Sequence, residues 1–222
     1  MMYDASFVLS SSIAVWPGDP EPEFQTISSV ENGDVATTSV AHLCLHTGTH
    51  VDAPAHLFQN GKTIDAISPE ILIGNATVIP VPFNDVHITS DFLKSLPHPL
   101  PRRILFKTRN TQQWQKAGLH FTPDYAALEP EAAQFLVHSG VQLVGVDGFS
   151  VDTFDAAELP VHRTLLSAGV VIVELLNLQQ VPEGNYFLVC APLKIEHADG
   201  APARVFLFPE ASSPIPPGVS DK

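Results

Sequence analysis

Basic residues are scarce in this sequence. Its 222 residues include 11 Lys and Arg against 24 Asp and Glu, so the formal net charge is −13 at pH 7. No local basic patch offsets the acidic balance. Phosphate backbones and anionic lipid surfaces would repel such a chain, so we expect neither a nucleic acid nor a membrane as partner.

Long apolar runs and a targeting segment are also lacking. No uncharged apolar run approaches the roughly 18 residues that a membrane-spanning helix needs. The first residues, MMYDASFVLSSS, contain no basic segment and carry Asp4 ahead of a very short apolar stretch, which is not typical of a signal peptide. We therefore expect a soluble protein of the cytoplasm.

Cysteine occurs only twice, at Cys44 and Cys190, each inside an apolar run. Two buried free thiols are favoured over a disulfide between them.

The remaining composition is that of a folded chain. A hydrophobic content of 45% is enough to bury a core, and a length of 222 residues corresponds to one large domain or two small ones. Twenty prolines and thirteen glycines divide the chain into short segments, which favours a strand-rich mixed fold over a helical bundle. Extended segments rich in Val, Ile and Phe are predicted at Phe7–Leu9, Glu23–Val30, Ala36–Leu45, Ala76–Val81, Arg103–Lys107, Leu143–Val146, Val170–Val173, Tyr186–Cys190 and Arg204–Phe208.

Three helices are predicted from their start and stop signals. One begins with Thr122 as N-cap and Pro123 as its first residue, breaks or kinks at Pro130 and stops at Gly140. Another spans 162–167, and a third follows Thr89-Ser90. We expect residues 1–208 to form one domain and residues 209–222 to form a flexible tail.

The segment His46-Thr47-Gly48-Thr49-His50-Val51-Asp52-Ala53-Pro54-Ala55-His56 contains the residue types of a Zn or Mn site. A helix would bring His46 and His50 together, but Gly48, the β-branched residues and Pro54 oppose one. An extended segment instead predicts His46, Gly48, His50 and Asp52 on one face, with space for an ion at Gly48. The alternative is a cluster of surface histidines. Because Pro54 turns the chain, His56 could lie beside the metal and carry a proton.

A second set of candidate ligands lies further along the chain. Glu174 follows the apolar run Val170–Val173 and precedes Leu175-Leu176, so its carboxylate is expected to be buried. A buried charge requires a partner, which is either a metal ion or an arginine such as Arg163 or Arg204. His162 precedes an amphipathic turn and is the other member of this set. His42 is expected to be an ordinary core or surface histidine, and Ser150 and Asp152 to form a structural turn.

The string HTGTHVDAPAH matches the HxGTHxDxPxH signature of the metal-dependent hydrolases called the cyclase family, which includes bacterial kynurenine formamidase and isatin hydrolase. Four further segments resemble elements of this family in the same order: Trp16–Pro20, Gly145–Asp152, His162–Asn177, and Ala191–Lys194 with Gly200–Arg204.

The resemblance implies an α/β fold: a single compact domain with a β-barrel-like core flanked by helices, related to swivelling β/β/α domains. It implies a homodimer or larger assembly and one or two ions, Zn²⁺ or Mn²⁺, per subunit. By the family's pattern, His46, His50 and Asp52 bind the first ion, and Asp52 bridges to a second ion held by His162 and Glu174. His56 is then the general acid/base, and Trp16 lies near the pocket mouth as a wall for a planar substrate.

The expected function is a metal-dependent amidohydrolase that uses metal-activated water on a small-molecule substrate. The stretch Val181–Tyr186, VPEGNY, resembles one common in kynurenine formamidases, which favours an arylformamidase acting on N-formylkynurenine. The alternatives are a hydrolase of another cyclic amide or lactone such as isatin, a metal-dependent lyase or cyclase, and a catalytically idle metal-binding protein. The presence of His56 argues against the last, because a closed structural site needs no spare proton carrier.

Overall fold

The computed structural model describes residues 2–209. Its strands are β1 (Tyr3–Asp4), β2 (Glu23–Ser28), β3 (Thr38–His42), β4 (His50–Asp52), β5 (Ile73–Pro80), β6 (Arg103–Lys107), β7 (Leu143–Val146), β8 (Val171–Glu174), β9 (Gly184–Pro192) and β10 (Gly200–Pro209). Its α-helices are α1 (Pro69–Leu72), α2 (Ser90–Ser95), α3 (Arg109–Ala117), α4 (Pro130–His138) and α5 (Pro160–Ser167). Short 3₁₀ turns occur at Val30–Asn32, Pro54–His56 and Ile64–Ala66.

Seven of these strands close into a barrel. The order is β10-β4-β8-β7-β6-β5-β9, and the pairing of β9 with β10 closes the ring. The pairs β5–β6, β6–β7 and β7–β8 are parallel. The remaining pairs of the ring are antiparallel. Strand β1 adds to β10 outside the ring. The expected α/β fold with a barrel-like core is confirmed.

Alternating side chains of the barrel strands serve two apolar layers. On β6, Leu105 packs in the core cluster that includes Val51 and Leu188, whereas Ile104 and Phe106 pack in the cluster that includes helix residues. The helix residues of that second cluster are Leu93 of α2, Leu136 of α4 and Leu165 of α5. Because successive side chains of a strand point to opposite faces, one set of side chains fills the barrel interior, and the other forms a second apolar layer beneath the three helices.

The helix prediction for residues 123–139 was wrong in its first half. Helix α4 begins at Pro130, which is its first residue and not an internal kink. The segment before Pro130 is extended because its backbone groups form hydrogen bonds with other parts of the chain. The carbonyl of Ala127 accepts from Ile88 N–H, and Leu128 N–H donates to the carbonyl of Val151.

The other predicted helices are present. The hydroxyl of Thr89 caps α2 by accepting from Phe92 N–H at 3.0 Å. Helix α5 starts at Pro160, two residues before the predicted start, and ends at Ser167. Helix α3 was not predicted.

Two predicted strands differ from the structure. Residues 7–9 form no strand, and the segment 36–45 is extended only over β3, because the chain turns after Cys44. Strands β2 and β3 pair with each other as a separate two-stranded sheet. Pro209, assigned to the tail, pairs with Tyr186 as the last residue of β10, and residues 210–222 lie outside the described residues.

Both cysteines are free thiols, as expected, but only Cys190 is buried as predicted, whereas Cys44 is half-buried. Within residues 2–209, no helix has the length and apolar character that crossing a membrane requires.

Candidate metal centre

The histidine-rich segment is a turn followed by a short strand, which corrects the expectation of one continuous extended face. Thr47 N–H donates to Cys44 at 3.1 Å, and Gly48 has φ of +68°, a left-handed conformation. A Cβ at Gly48 would lie 2.7 Å from Leu9 Cδ2, so the space beside this residue holds Leu9 and not an ion. Only His50 and Asp52, two residues apart on β4, share a strand face.

The barrel pairing brings the distant residues to this strand. In the β4–β8 register His50 is opposite Glu174, so the carboxylate at the end of β8 lies beside the histidine. His162 lies in the first turn of α5 and is buried with them. The four residues His50, Asp52, His162 and Glu174 are each 4% exposed or less, so water does not screen their charges.

Asp52 lies between two groups of candidate ligands. Its Oδ1 is 2.8 Å from His46 Nδ1 and 3.3 Å from His50 Nε2. Its Oδ2 is 3.4 Å from His162 Nε2, and that nitrogen is 3.3 Å from Glu174 Oε1. The ligand atoms of each group, His46–His50–Asp52 and Asp52–His162–Glu174, lie within 4.8 Å of one another, as binding a single ion requires.

Hydrogen bonds orient the candidate ligand histidines. Nδ1 of His50 donates to the carbonyl of Gly48 at 2.8 Å, so its Nε2 faces Asp52 and Glu174. Nδ1 of His162 is 2.7 Å from Asp152, and its Nε2 likewise faces the carboxylates. A metal-ligating imidazole commonly has this arrangement, in which its second nitrogen is fixed by an oxygen acceptor.

Glu174 is paired with neither of the two arginines considered from the sequence. Its Oε1 accepts from Val151 N–H at 2.7 Å. Of the two arginines considered from the sequence, Arg204 pairs with Asp4, and Arg163 Nε donates to the Glu158 carbonyl. The salt-bridge alternative is therefore wrong for both of these arginines.

The charges in the cluster shift each other's pKa strongly. Burial would lower the pKa of His50, but the carboxylates of Asp52 and Glu174 outweigh burial and raise it to about 10. Burial would lower the pKa of His162, but the carboxylates of Asp152, Asp52 and Glu174 outweigh burial and hold it well above 6.5. The pKa of Asp52 lies well below its ordinary value despite burial, because His50, His162 and His46 surround it.

The residues fit a divalent cation. Asp52 Oδ2 is buried and has no hydrogen-bond partner among the described residues, an arrangement that is costly unless a cation or another partner supplies the missing interaction. The donors are imidazole nitrogens and carboxylate oxygens, the set that Zn²⁺ and Mn²⁺ accept.

His56 lies at the open side of this cluster. It ends the 3₁₀ turn that Pro54 starts, and its ring centroid is 4.2 Å from that of His46 and 5.9 Å from that of His162. Burial, together with the neighbouring histidines, lowers the pKa of His56 although Asp52 and Glu174 act in the opposite direction. The imidazole is therefore neutral at pH 7, as a general base must be.

Sequence reasoning missed Asp199. Its Oδ2 is 2.9 Å from His46 Nε2 and 3.6 Å from His56 Nδ1. The tripeptide Ala198-Asp199-Gly200 has the composition of an ordinary turn, so no local pattern distinguished this carboxylate. Asp152, assigned to a structural turn, also contacts the cluster: it accepts from Val161 and His162 N–H at the start of α5, and it orients the His162 ring.

Trp16 belongs to an aromatic cluster beside the loop that bears Asp152. Its ring centroid lies 5.5 Å from that of Phe121, 6.3 Å from that of Tyr125 and 5.4 Å from that of Phe154. The hydroxyl of Tyr125 donates to the carbonyl of Asp152 at 2.8 Å, which joins this cluster to the residues around His162.

Comparison with known proteins gives one consistent family. The Cyclase family model matches residues 3–153. A kynurenine formamidase from Salinibacter ruber is 36% identical over 212 residues, which cover 93% of this chain and 96% of that protein.

Solved structures share the fold over the same extent. One, described as a potential metal-dependent hydrolase with cyclase activity, is 33% identical with a TM-score of 0.82, covering 93% of this chain and 96% of that one. Isatin hydrolase A from Labrenzia aggregata, solved with benzyl benzoate, is 25% identical with a TM-score of 0.78, covering 93% of each chain.

Proposed function

Because this chain belongs to the cyclase family, we propose that it is a metal-dependent amidohydrolase, and specifically an arylformamidase that hydrolyses N-formylkynurenine. The observation that carries the proposal is the buried carboxylate of Asp52, which has one oxygen in each of two ligand groups, with a neutral His56 at their open side. The near full-length similarity to a kynurenine formamidase supports the choice of substrate.

A first ion would be held by His46, His50 and Asp52, and a second by Asp52, His162 and Glu174. Either Zn²⁺ or Mn²⁺ suits these donors, and such an ion, when bound, acidifies a water molecule and polarises a carbonyl group. The Gly48 carbonyl and the Asp152 carboxylate accept from Nδ1 of His50 and of His162, which keeps the Nε2 atoms of the two rings directed at the carboxylates of the cluster.

His56 moves the proton of the reaction. Its Nδ1 faces Asp199 at 3.6 Å, which leaves Nε2 to accept a proton from the attacking water. The same nitrogen returns that proton to the amine nitrogen as the C–N bond to the formyl carbon breaks. Water and N-formylkynurenine are thereby converted into kynurenine and formic acid, which releases a proton to give formate, with no covalent enzyme intermediate.

The aromatic cluster around Trp16 binds the aryl ring of the substrate. An open depression is lined by Tyr125, Thr153 and Phe154, the last of which is 43% exposed. Trp16 contacts both Tyr125 and Phe154, and flat aromatic walls of this kind stack on planar ligands.

The functional protein is a homodimer or a larger assembly located in the cytoplasm. The hairpin of β2 and β3 supports self-association, because nearly all of its strand residues are exposed. Large apolar side chains are exposed along it at Phe24, Ile27, Val30, Val35 and Val40. Clustered exposed apolar residues are typical of surfaces that another chain covers.

The two free thiols agree with a reducing compartment.

A second candidate function is hydrolysis of a cyclic amide. The similarity to an isatin hydrolase over nearly the whole chain favours it. Both reactions use the same ligand groups and the same proton carrier, and they differ in whether the cleaved amide lies inside a ring.

The test is hydrolysis of N-formylkynurenine by protein depleted of metal and then loaded separately with Zn²⁺ or Mn²⁺. Formate release and bound metal are measured on the same samples. We expect turnover that a chelator abolishes and one of the two ions restores. Metal binding without formate release, together with ring opening of isatin, would replace the arylformamidase with the cyclic amide hydrolase.

A further inference from the structure

Asp199 is built into the edge of the candidate centre by its backbone. It precedes β10, where Gly200 is opposite Asp52 in the register with β4. Its carbonyl accepts from Ala53 N–H at 2.9 Å, which fixes the residue beside the end of β4. Because β4 carries His50 and Asp52, the pairing sets the distance between Asp199 and the ligand residues.

The carboxylate of Asp199 contacts two histidines with different roles. Its Oδ2 is 2.9 Å from His46 Nε2, while the other nitrogen of that ring, Nδ1, is 2.8 Å from Asp52 Oδ1. The same Oδ2 is 3.6 Å from Nδ1 of His56, longer than a hydrogen bond but within the range of an ion pair. One side chain therefore faces both a candidate ligand and the candidate proton carrier.

Gly200 leaves the space that the His46 ring occupies. A Cβ at this position would lie 2.8 Å from His46 Cε1 and 2.8 Å from the carbonyl oxygen of Val51. The start of β10 thus supplies both the carboxylate that fixes the ring and the gap that accommodates it.

We propose that Asp199 is a positioning residue that holds His46 with Nδ1 toward Asp52 and keeps His56 stacked beside it. The inference rests on the proposed function and deepens it. His50 and His162 each have an oxygen acceptor at the ring nitrogen remote from the ion, and Asp199 is the equivalent acceptor for His46. Asp199 contacts Nε2 of His46, the nitrogen opposite the one that faces Asp52, so it lies outside the group His46–His50–Asp52. Its carboxylate also forms a third group of potential ligands with His46 and His56, which the measurement of bound Zn²⁺ must distinguish from a positioning role.

The test compares Asp199→Asn, Asp199→Glu and the wild-type protein. Zn²⁺ affinity is measured by competition with a chelator, bound Zn²⁺ per chain is measured at saturation, and kcat and KM are measured with N-formylkynurenine. We expect Asp199→Asn to lower Zn²⁺ affinity and kcat by about 10- to 100-fold, with KM changed less than about twofold. We expect Asp199→Glu, which keeps a carboxylate, to bind Zn²⁺ more tightly than Asp199→Asn.

Asp65→Asn is the matched control. Asp65 is exposed and accepts from His197 N–H, so it supports the loop that leads to Asp199 without contacting the candidate centre. We expect Asp65→Asn to keep the wild-type Zn²⁺ affinity and kcat. Unchanged Zn²⁺ affinity in Asp199→Asn would overturn the proposal. Loss of a whole equivalent of Zn²⁺ at saturation would also overturn it, because Asp199 would then be a ligand. If the wild-type protein binds Zn²⁺ but releases no formate, the proposed function fails while the affinity comparison still tests Asp199.

Discussion

His56 reaches the cluster without being enclosed by it. Its side chain is 28% exposed, whereas those of His50 and His162 are 3% and 5% exposed. A proton carrier needs this partial access, because it must exchange its proton with substrate atoms and with solvent. Removing the imidazole should therefore impair the chemistry without removing a metal ligand.

We expect His56→Ala to retain bound metal and to lose about 10²- to 10⁴-fold in kcat, the usual contribution of a general acid or base. Metal per chain and the steady-state rate of formate release, measured on one preparation, check this result. His138→Ala is the control, since His138 is exposed on α4 and contacts only the Gln134 carbonyl among the described hydrogen bonds. A fully active His56→Ala enzyme would exclude the assigned role.

The buried imidazoles also predict that metal binding releases protons. Without metal, Asp52 and Glu174 outweigh burial and raise the pKa of His50 to about 10, and the pKa of His162 is likewise raised. Both rings are then protonated at pH 7, but only a neutral imidazole binds a metal. Because metal and protons compete, the apparent affinity should rise as pH increases from 6.5 to 8.

The measurement is titration calorimetry of metal-depleted protein with Zn²⁺ in two buffers of different ionisation enthalpy. We expect the observed heat to depend on the buffer and to correspond to more than one proton released per chain. A buffer-independent heat and a pH-independent affinity would show that the histidines are already neutral.

At the scale of single elements, the turn before β4 was the part of the site that periodicity could not predict. Alternation correctly related His50 to Asp52, which are in a strand, but it failed for His46, which precedes the left-handed Gly48. The sequence alone did not distinguish a glycine that leaves room for an ion from one that turns the backbone. Packing of Leu9 against Gly48 decides for the turn.

Replacing Gly48 tests that turn. Gly48→Ala and Gly140→Ala both place an L residue in left-handed backbone, at φ of +68° and +75°, which alone should cost about 1–2 kcal/mol in the free energy of unfolding. Gly48→Ala should cost more than Gly140→Ala, because its Cβ would lie 2.7 Å from Leu9 Cδ2, whereas a Cβ at Gly140 meets no atom within 4 Å. Only Gly48→Ala should also weaken Zn²⁺ binding, by about tenfold or more, because the Gly48 carbonyl holds Nδ1 of His50. Urea unfolding and chelator competition measure the two quantities. Equal Zn²⁺ affinity in the two variants would contradict the role of the turn.

The helices show the same limit of local signals. The helix after Thr89-Ser90 was correctly predicted, because the Thr89 hydroxyl and the backbone of the helix that follows are all that the cap needs. Thr122-Pro123 has the same local character, yet the segment after it pairs with Ile88 and Val151, which no neighbouring residue predicts. Helix α3 was missed although it has local signals: the Thr108 hydroxyl caps it by accepting from Asn110 N–H, and Gly118 follows its last residue. Asp147, some forty residues later in the chain, also accepts from Thr108 and Thr111 at the N-terminus of α3.

At the scale of the whole molecule, barrel closure determines which residues meet. The motif from His46 to His56 is local and could be recognised in the sequence, and the family resemblance added His162 and Glu174. Asp199 lies 153 residues from His46, and only the pairing of β10 with β4 brings the two together. No sequence pattern indicates that β10 pairs with β4, so the Asp199 carboxylate could be identified only in the folded structure.

The hairpin of β2 and β3 gives the prediction that concerns more than one chain. It contributes five of the large apolar side chains that are exposed in residues 2–209. A two-stranded sheet alone is marginally stable in water, so an exposed hairpin with apolar residues is best explained by burial against a second copy.

We expect the double substitution Phe24→Asp and Ile27→Asp to shift the protein to the mass of one chain, because buried charges without partners destabilise an interface. Light scattering coupled to size exclusion, at several protein concentrations, measures the mass. Val86→Asp is the control: Val86 is 45% exposed outside the hairpin and its substitution should leave the assembly intact. A wild-type protein that is monomeric at every concentration would show that the hairpin serves another purpose.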